Sequence, residues 1–136
     1  MEFWFINSTN AQDTLQLPVN PSSYSIKTGN NNTVIIVEDL GEVNLLGKPK
    51  LAEISLKSFF PNQRYYFCQY SNFPTPYDCV NLIENWRSNN MPIRLVIPGT
   101  DVNILCSIEE FEHGEDDGTG DVNFTLTLKE YKVIPS

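Results

Sequence analysis

At 136 residues, with 40% hydrophobic and 12% aromatic side chains, the chain has the length and composition of one globular domain spanning residues 1–136. No apolar run approaches the ~20 residues of a membrane span, and Glu2 stands where a signal peptide would carry bases, so the expected location is the cytoplasm. Residues 1–100 hold eight acids against seven bases, whereas residues 101–136 hold nine acids against Lys129 and Lys132; a net charge of −8 concentrated in this way excludes nucleic acid and anionic membranes as partners and leaves room for a basic protein.

In chain order, short strands are expected at Glu2 to Ile6, Tyr24 to Lys27, Thr33 to Glu38, Val43 to Leu46, Leu51 to Phe60, Ile93 to Ile97, Asn103 to Glu112 and Asp121 to Ile134. Turn signals separate them at Pro18-Val19-Asn20-Pro21, Gly29-Asn30-Asn31-Asn32, Gly41, Gly47, Pro98-Gly99 and Gly118-Thr119-Gly120. In the fifth of these strands Ala52, Ile54, Leu56, Ser58 and Phe60 share one face. One helix is expected from about Tyr77 to Ser88, capped by Thr75 or Asp78, with Cys79, Val80, Ile83 and Trp86 on its apolar side. The fold class is therefore mainly β, a barrel or sandwich of about eight strands with one inserted α-helix.

Two strands change phase. Ile104, Cys106 and Ile108 give way to Phe111, and Val122, Phe124, Leu126 and Leu128 give way to Tyr131 and Val133 across Lys129-Glu130. A slip of one residue is what a β-bulge produces, so both strands are expected to bend and to form one hairpin around Gly118-Thr119-Gly120. The expected core is Phe5, Ile35, Ile54, Leu56, Ile83, Trp86, Leu95, Ile104, Phe124, Leu126 and Leu128.

Few residues offer chemistry. His113 is the sole histidine, and Cys68, Cys79 and Cys106 are odd in number and irregularly spaced, so no metal site, cofactor site or catalytic residue is expected and the cysteines read as free thiols. The acids Glu109, Glu110, Glu112, Glu115, Asp116, Asp117 and Asp121 lack the order of a calcium loop and read as a charged hairpin tip. Phe59, Phe60, Tyr65, Tyr66, Phe67, Tyr70, Phe73, Tyr77 and Trp86, with Gln63 and Arg64 among them, suit either a packed lid over the barrel end or a protein interface. The interface candidates are Arg64, Tyr65, Tyr66, Tyr70, Glu115, Asp116 and Asp117.

The run from Lys48 to Phe60 with Pro61 to Cys68 after it also carries a resemblance, together with Gly29 to Asn32, Gly41 to Gly47, Asp116 to Asp121 and Leu126 to Tyr131. It resembles the amino-terminal domain of LysM-type baseplate and hub proteins of contractile phage tails, which have relatives in phage-tail-like bacteriocins. The resemblance implies a structural, non-enzymatic part of a contractile injection system, built into the virion or particle beside other baseplate, hub and tube proteins, as a ring homo-oligomer of six or three copies. The sequence stops at Ser136, so no LysM module is expected in it and peptidoglycan binding is not carried over. Two other classes stand beside this one: a small cell-wall-directed hydrolase, which needs converging carboxylates or a Cys-His pair, and a carbohydrate-binding β-domain, which needs exposed flat aromatics.

Overall fold

The alternation at residues 52–60 is the simplest key to the architecture. In the computed structural model, which describes residues 1–134, Ala52, Ile54, Leu56, Ser58 and Phe60 are all buried, and the residues between them face outward or are only half covered. Around that strand the chain runs β1 (Trp4–Asn7), β2 (Asn10–Gln16), β3 (Ser23–Lys27), β4 (Thr33–Val37), β5 (Gly41–Leu45), β6 (Glu53–Phe60), α1 (Pro76–Ser88), β7 (Ile93–Val96), β8 (Asn103–Gly114) and β9 (Val122–Glu130). Seven strands form one antiparallel sheet in the order β2-β1-β7-β8-β9-β6-β3, and β4 pairs only with β5.

The large sheet curls on itself. Its outer strands, β2 and β3, are consecutive in the chain and are joined by residues 17–22, while the rings of Phe3 and Tyr24 meet edge to face at 5.2 Å across the gap. No ladder links β2 to β3, so the result is an open barrel with a seam. Ser22 donates its backbone N–H to Lys57, and the Ser58 hydroxyl donates to the Val19 carbonyl at 3.0 Å, which ties the crossing segment down. Inward side chains of every barrel strand except β3, among them Phe5, Leu15, Ile54, Leu56, Leu95, Cys106, Phe124 and Leu126, form one core.

Helix α1 covers one opening of this core. Thr75 caps it by accepting from the Asp78 N–H at 3.3 Å, and Pro76, Cys79, Val80, Ile83 and Trp86 are buried. A turn of helix sets such residues on one stripe. The fully buried Trp86 donates its indole N–H to Asp13 of β2 at 2.9 Å, and Asp13 also accepts from the buried amide of Asn7 on β1 at 3.1 Å. A polar cross-link thus joins the helix to the first hairpin inside an otherwise apolar contact.

Several expectations need correction. The segment Asn10–Gln16, unassigned in the sequence, is a strand; its sequence Asn-Ala-Gln-Asp-Thr-Leu-Gln has little β character, and pairing with β1 overrides that. The bulge in β8 is present, with Glu109 as the extra residue between Ile108 and Glu110. Its expected twin at Lys129-Glu130 is absent, because β9 ends at Glu130 and Tyr131, Val133 and Ile134 are exposed. Ile35 is 40% exposed and lies outside the core, and Ile104 packs at the core's margin.

Candidate protein-interaction surfaces

Two regions of the molecule present unusual surface. The first is the end of the barrel where β6 runs into residues 61–75 and where β8 turns into β9 through residues 115–121. Asp121, which sequence alone places among the solvated acids, is buried here and organises the contact. Its carboxylate accepts from the Asn62 N–H at 2.6 Å and from the Tyr65 hydroxyl at 2.5 Å, and that bond raises the phenol's pKa above its ordinary value. The Asn62 side chain donates to the Thr119 carbonyl at 3.2 Å, close against Gly120, whose φ of +86° and lack of a side chain leave room for it.

Of the interface candidates, the structure brings most to this end. Tyr65 stacks on Phe67 at 5.1 Å, and Tyr66 meets Phe67 edge to face while remaining fully exposed; Arg64 is exposed beside them. Glu115 accepts from the Tyr77 hydroxyl of α1, which raises that phenol's pKa as well. Asp117 accepts from both the N–H and the hydroxyl of Thr119, a local turn that holds its carboxyl below the usual range; Asp116 is exposed next to it. Tyr70 lies apart. Its hydroxyl donates to the Gln16 carbonyl at 2.8 Å and burial pushes its pKa up to about 12, so it pins the aromatic loop to β2.

The second region is an arm made of β4 and β5. Its neck is held by backbone bonds from Asn31 to Lys48 and from Lys50 to Gly29, each 2.8 Å, and by the Asn32 side chain accepting from the Gly47 N–H at 2.7 Å. At Gly47 a Cβ would stand 1.7 Å from the Asn31 carbonyl oxygen, so the two neck strands approach as closely as they do only with glycine there. Leu40 donates to Val37 and Gly41 follows at φ +79°, a three-residue hairpin loop. Beyond the neck, Val34, Ile35, Ile36, Leu40, Leu45 and Leu46 are all exposed, Ile36 at 81%. Sequence reasoning missed this surface because Thr-Val-Ile-Ile-Val reads as a core strand; the signal available was the neighbouring Gly-Asn-Asn-Asn and Gly47, which separate it from the body.

Little else in the structure looks reactive. Burial pushes the thiols of Cys79 and Cys106 up to about 12, and their sulfurs face the Pro74 and Ile104 carbonyls. His113 is exposed and leans on Phe111. No cluster of three or more His, Cys, Asp or Glu side chains suited to a metal ion occurs among the described residues.

Known proteins share this architecture from end to end. A chain in the tail of the empty gene transfer agent particle superposes with a TM-score of 0.59 at 11% identity, covering 97% of this chain and 92% of that one. A chain of the native gene transfer agent virion gives 0.58 at 10% identity with the same coverage, and one from the anti-feeding prophage baseplate gives 0.51 at 10% identity, covering 96% and 88%. This is a tail and baseplate fold. In sequence, the chain is 36% identical over 133 residues to the uncharacterized protein YqbP of Bacillus subtilis (strain 168); the match covers 97% of this chain but spans only 59% of that relative's length. No family profile matches.

Proposed function

We propose that this chain is a structural component of a contractile phage tail or tail-like bacteriocin particle, where it fastens the baseplate to the central hub and tube. The observation that carries the reading is the extent of the shared fold: tail and baseplate chains match it over 96–97% of its length, so the architecture is used whole. The proposed partners are other baseplate, hub and tube proteins, and the proposed arrangement is a ring of six or three copies. The tail and baseplate that contain two of the neighbours carry sixfold symmetry, which favours six. The finer assignment to LysM-bearing hub proteins rests on the resemblance in sequence.

A role without catalysis fits the inert surroundings of the buried thiols and the exposed position of His113, which leans on Phe111. His113→Ala is accordingly expected to leave particle assembly and any lytic effect unchanged. The deciding experiment is to tag the chain in a particle-producing strain, purify the particles and image them. The expected result is a ring of this chain at the baseplate end of the tube, with baseplates lost when its gene is deleted. Normal particles without the chain would overturn the proposal.

A further inference from the structure

The arm divides into three parts along its length. Residues 27–32 and 47–50, its root, carry Lys27, Lys48 and Lys50 and no acid, whereas residues 37–42, its tip, carry Glu38, Asp39 and Glu42 and no base. Between them lies a face of Thr33, Ile35, Val37, Gly41, Val43 and Leu45 with no charge at all, fixed by the pairings Ile35 to Val43 and Thr33 to Leu45. Among the described residues the one ion pair is Arg87 with Glu84; Lys27 at the end of β3 lies opposite Glu53 on β6, whereas Lys48, Lys50 and the tip carboxylates form no ion pair among those residues.

Geometry forbids them from serving each other. Even the nearest of them, Lys48 and Glu42, are six residues apart along the arm, which at ~3.3 Å per residue is about 20 Å, more than twice the ~8 Å screening length of physiological salt. A two-stranded ribbon is moreover marginal in water by itself, and on the uncharged face of this one Ile35 and Leu45 are exposed to solvent. Both defects are met at once by a surface that is basic, then apolar, then acidic over the same length. A second arm laid antiparallel, root to tip, is such a surface.

We propose that the arm is a self-association element: the acidic tip of one copy lies on the basic root of a second copy, with the uncharged faces packed between. The inference deepens the tail-component reading above, naming a contact between copies, and rests on it for its biological setting. Tip and root stand at opposite ends of arms of equal length, so two arms packed in this way run antiparallel and make both tip-on-root contacts at once; the contact is two-fold and joins copies in pairs. An arm of this size offers fewer residues than the 20–30 a side of a standard interface, so the pairing by itself is weak and salt-sensitive.

The test uses two charge-reversed versions of the full chain, one with Glu38→Lys, Asp39→Lys and Glu42→Lys, the other with Lys48→Glu and Lys50→Glu, leaving Lys27 in place opposite Glu53. All five positions are exposed and lie outside the barrel strands, so circular dichroism and melting temperature are expected to match the unaltered chain. Analytical ultracentrifugation at high protein concentration and low salt should show the unaltered chain self-associating, each variant alone monomeric, and the equimolar mixture associated again. An unaltered chain that stays monomeric, a mixture that does not recover, or a tip variant that still associates alone would each overturn the proposal. A chain found in particles yet monomeric throughout would sink this inference and spare the proposed function; a self-associating chain absent from particles would do the reverse.

Discussion

The barrel and the arm are made from the same kind of residue and end in opposite environments. In the barrel, Ile54, Leu56, Leu126 and Leu128 lie opposite each other on β6 and β9 and are essentially inaccessible, because flanking strands and the helix supply neighbours above them. In the arm, Ile35 lies opposite Val43 in just as regular a ladder and stays 40% exposed. Strand formation is thus a local property and burial is not: a ribbon becomes a core only when a second layer closes over it.

The sharpest way to break the comparison is to charge each region in turn. Leu126→Asp places a carboxylate where no partner can reach it, and we expect loss of more than about 4 kcal/mol, enough to unfold the domain in urea titration followed by circular dichroism. Ile36→Asp on the arm should shift the same titration by about 0.5 kcal/mol or less. A folded Leu126→Asp protein would mean that the inner face of β9 has been misplaced. Next in size is Asp13→Ala, which orphans the Trp86 indole N–H and leaves the Asn7 amide with only the Met91 sulfur as acceptor. A cost of about 1–3 kcal/mol is expected for such a buried donor, read from the urea midpoint with Trp86 fluorescence as the probe.

Alkaline pH tests the body alone. Cys79 and Cys106 ionise in the folded state near 12 against an ordinary 9.0, and Tyr70 near 12 against 10.0, each because burial disfavours the charged form. A raised folded pKa means stability that is complete below the unfolded value and is lost as pH rises toward the folded one. Under reducing conditions the melting temperature should therefore hold to about pH 9 and fall between 9 and 12, and Cys79→Ala should flatten part of that fall. A profile unchanged by the substitution would show that the thiol is not held neutral by the fold.

The smallest global effect is expected at the neck. Gly47→Ala drives a methyl group into the Asn31 carbonyl, and because the arm adds little to the core, the global melting temperature should move only slightly while amides of residues 33–45 lose hydrogen-exchange protection. Equal loss of protection in β6 and β9 would show that arm and barrel unfold as one unit.

Much of the barrel was legible because its periodicity is its burial. The alternation at 52–60, the Thr75 cap, the stripe of α1 and the bulge at Glu109 are each written in a few adjacent residues. What escaped was decided by distant ones. Asp13 and Asp121 read as ordinary acids until Trp86 and Tyr65 are brought to them over 73 and 56 residues, respectively. Thr-Val-Ile-Ile-Val carries the pattern of a core strand, and only the absence of a covering layer leaves it at the surface. The aromatic loop split for the same reason: Tyr66 faces water and Tyr70 is spent on Gln16, a difference that no spacing in the sequence records.

The seam between β2 and β3 has a consequence for the order in which the chain acquires its shape. β1 is the first strand synthesised, and besides β2 its only neighbour in the sheet is β7 at Ile93–Val96, nearly ninety residues downstream. β8 and β9, by contrast, are joined by a short turn and can zip as soon as they exist. Loop closure over so long a span is entropically slow. On the ribosome the first hairpin therefore waits, unsupported, until most of the domain has emerged, and its docking onto β7 is the step that finishes the barrel.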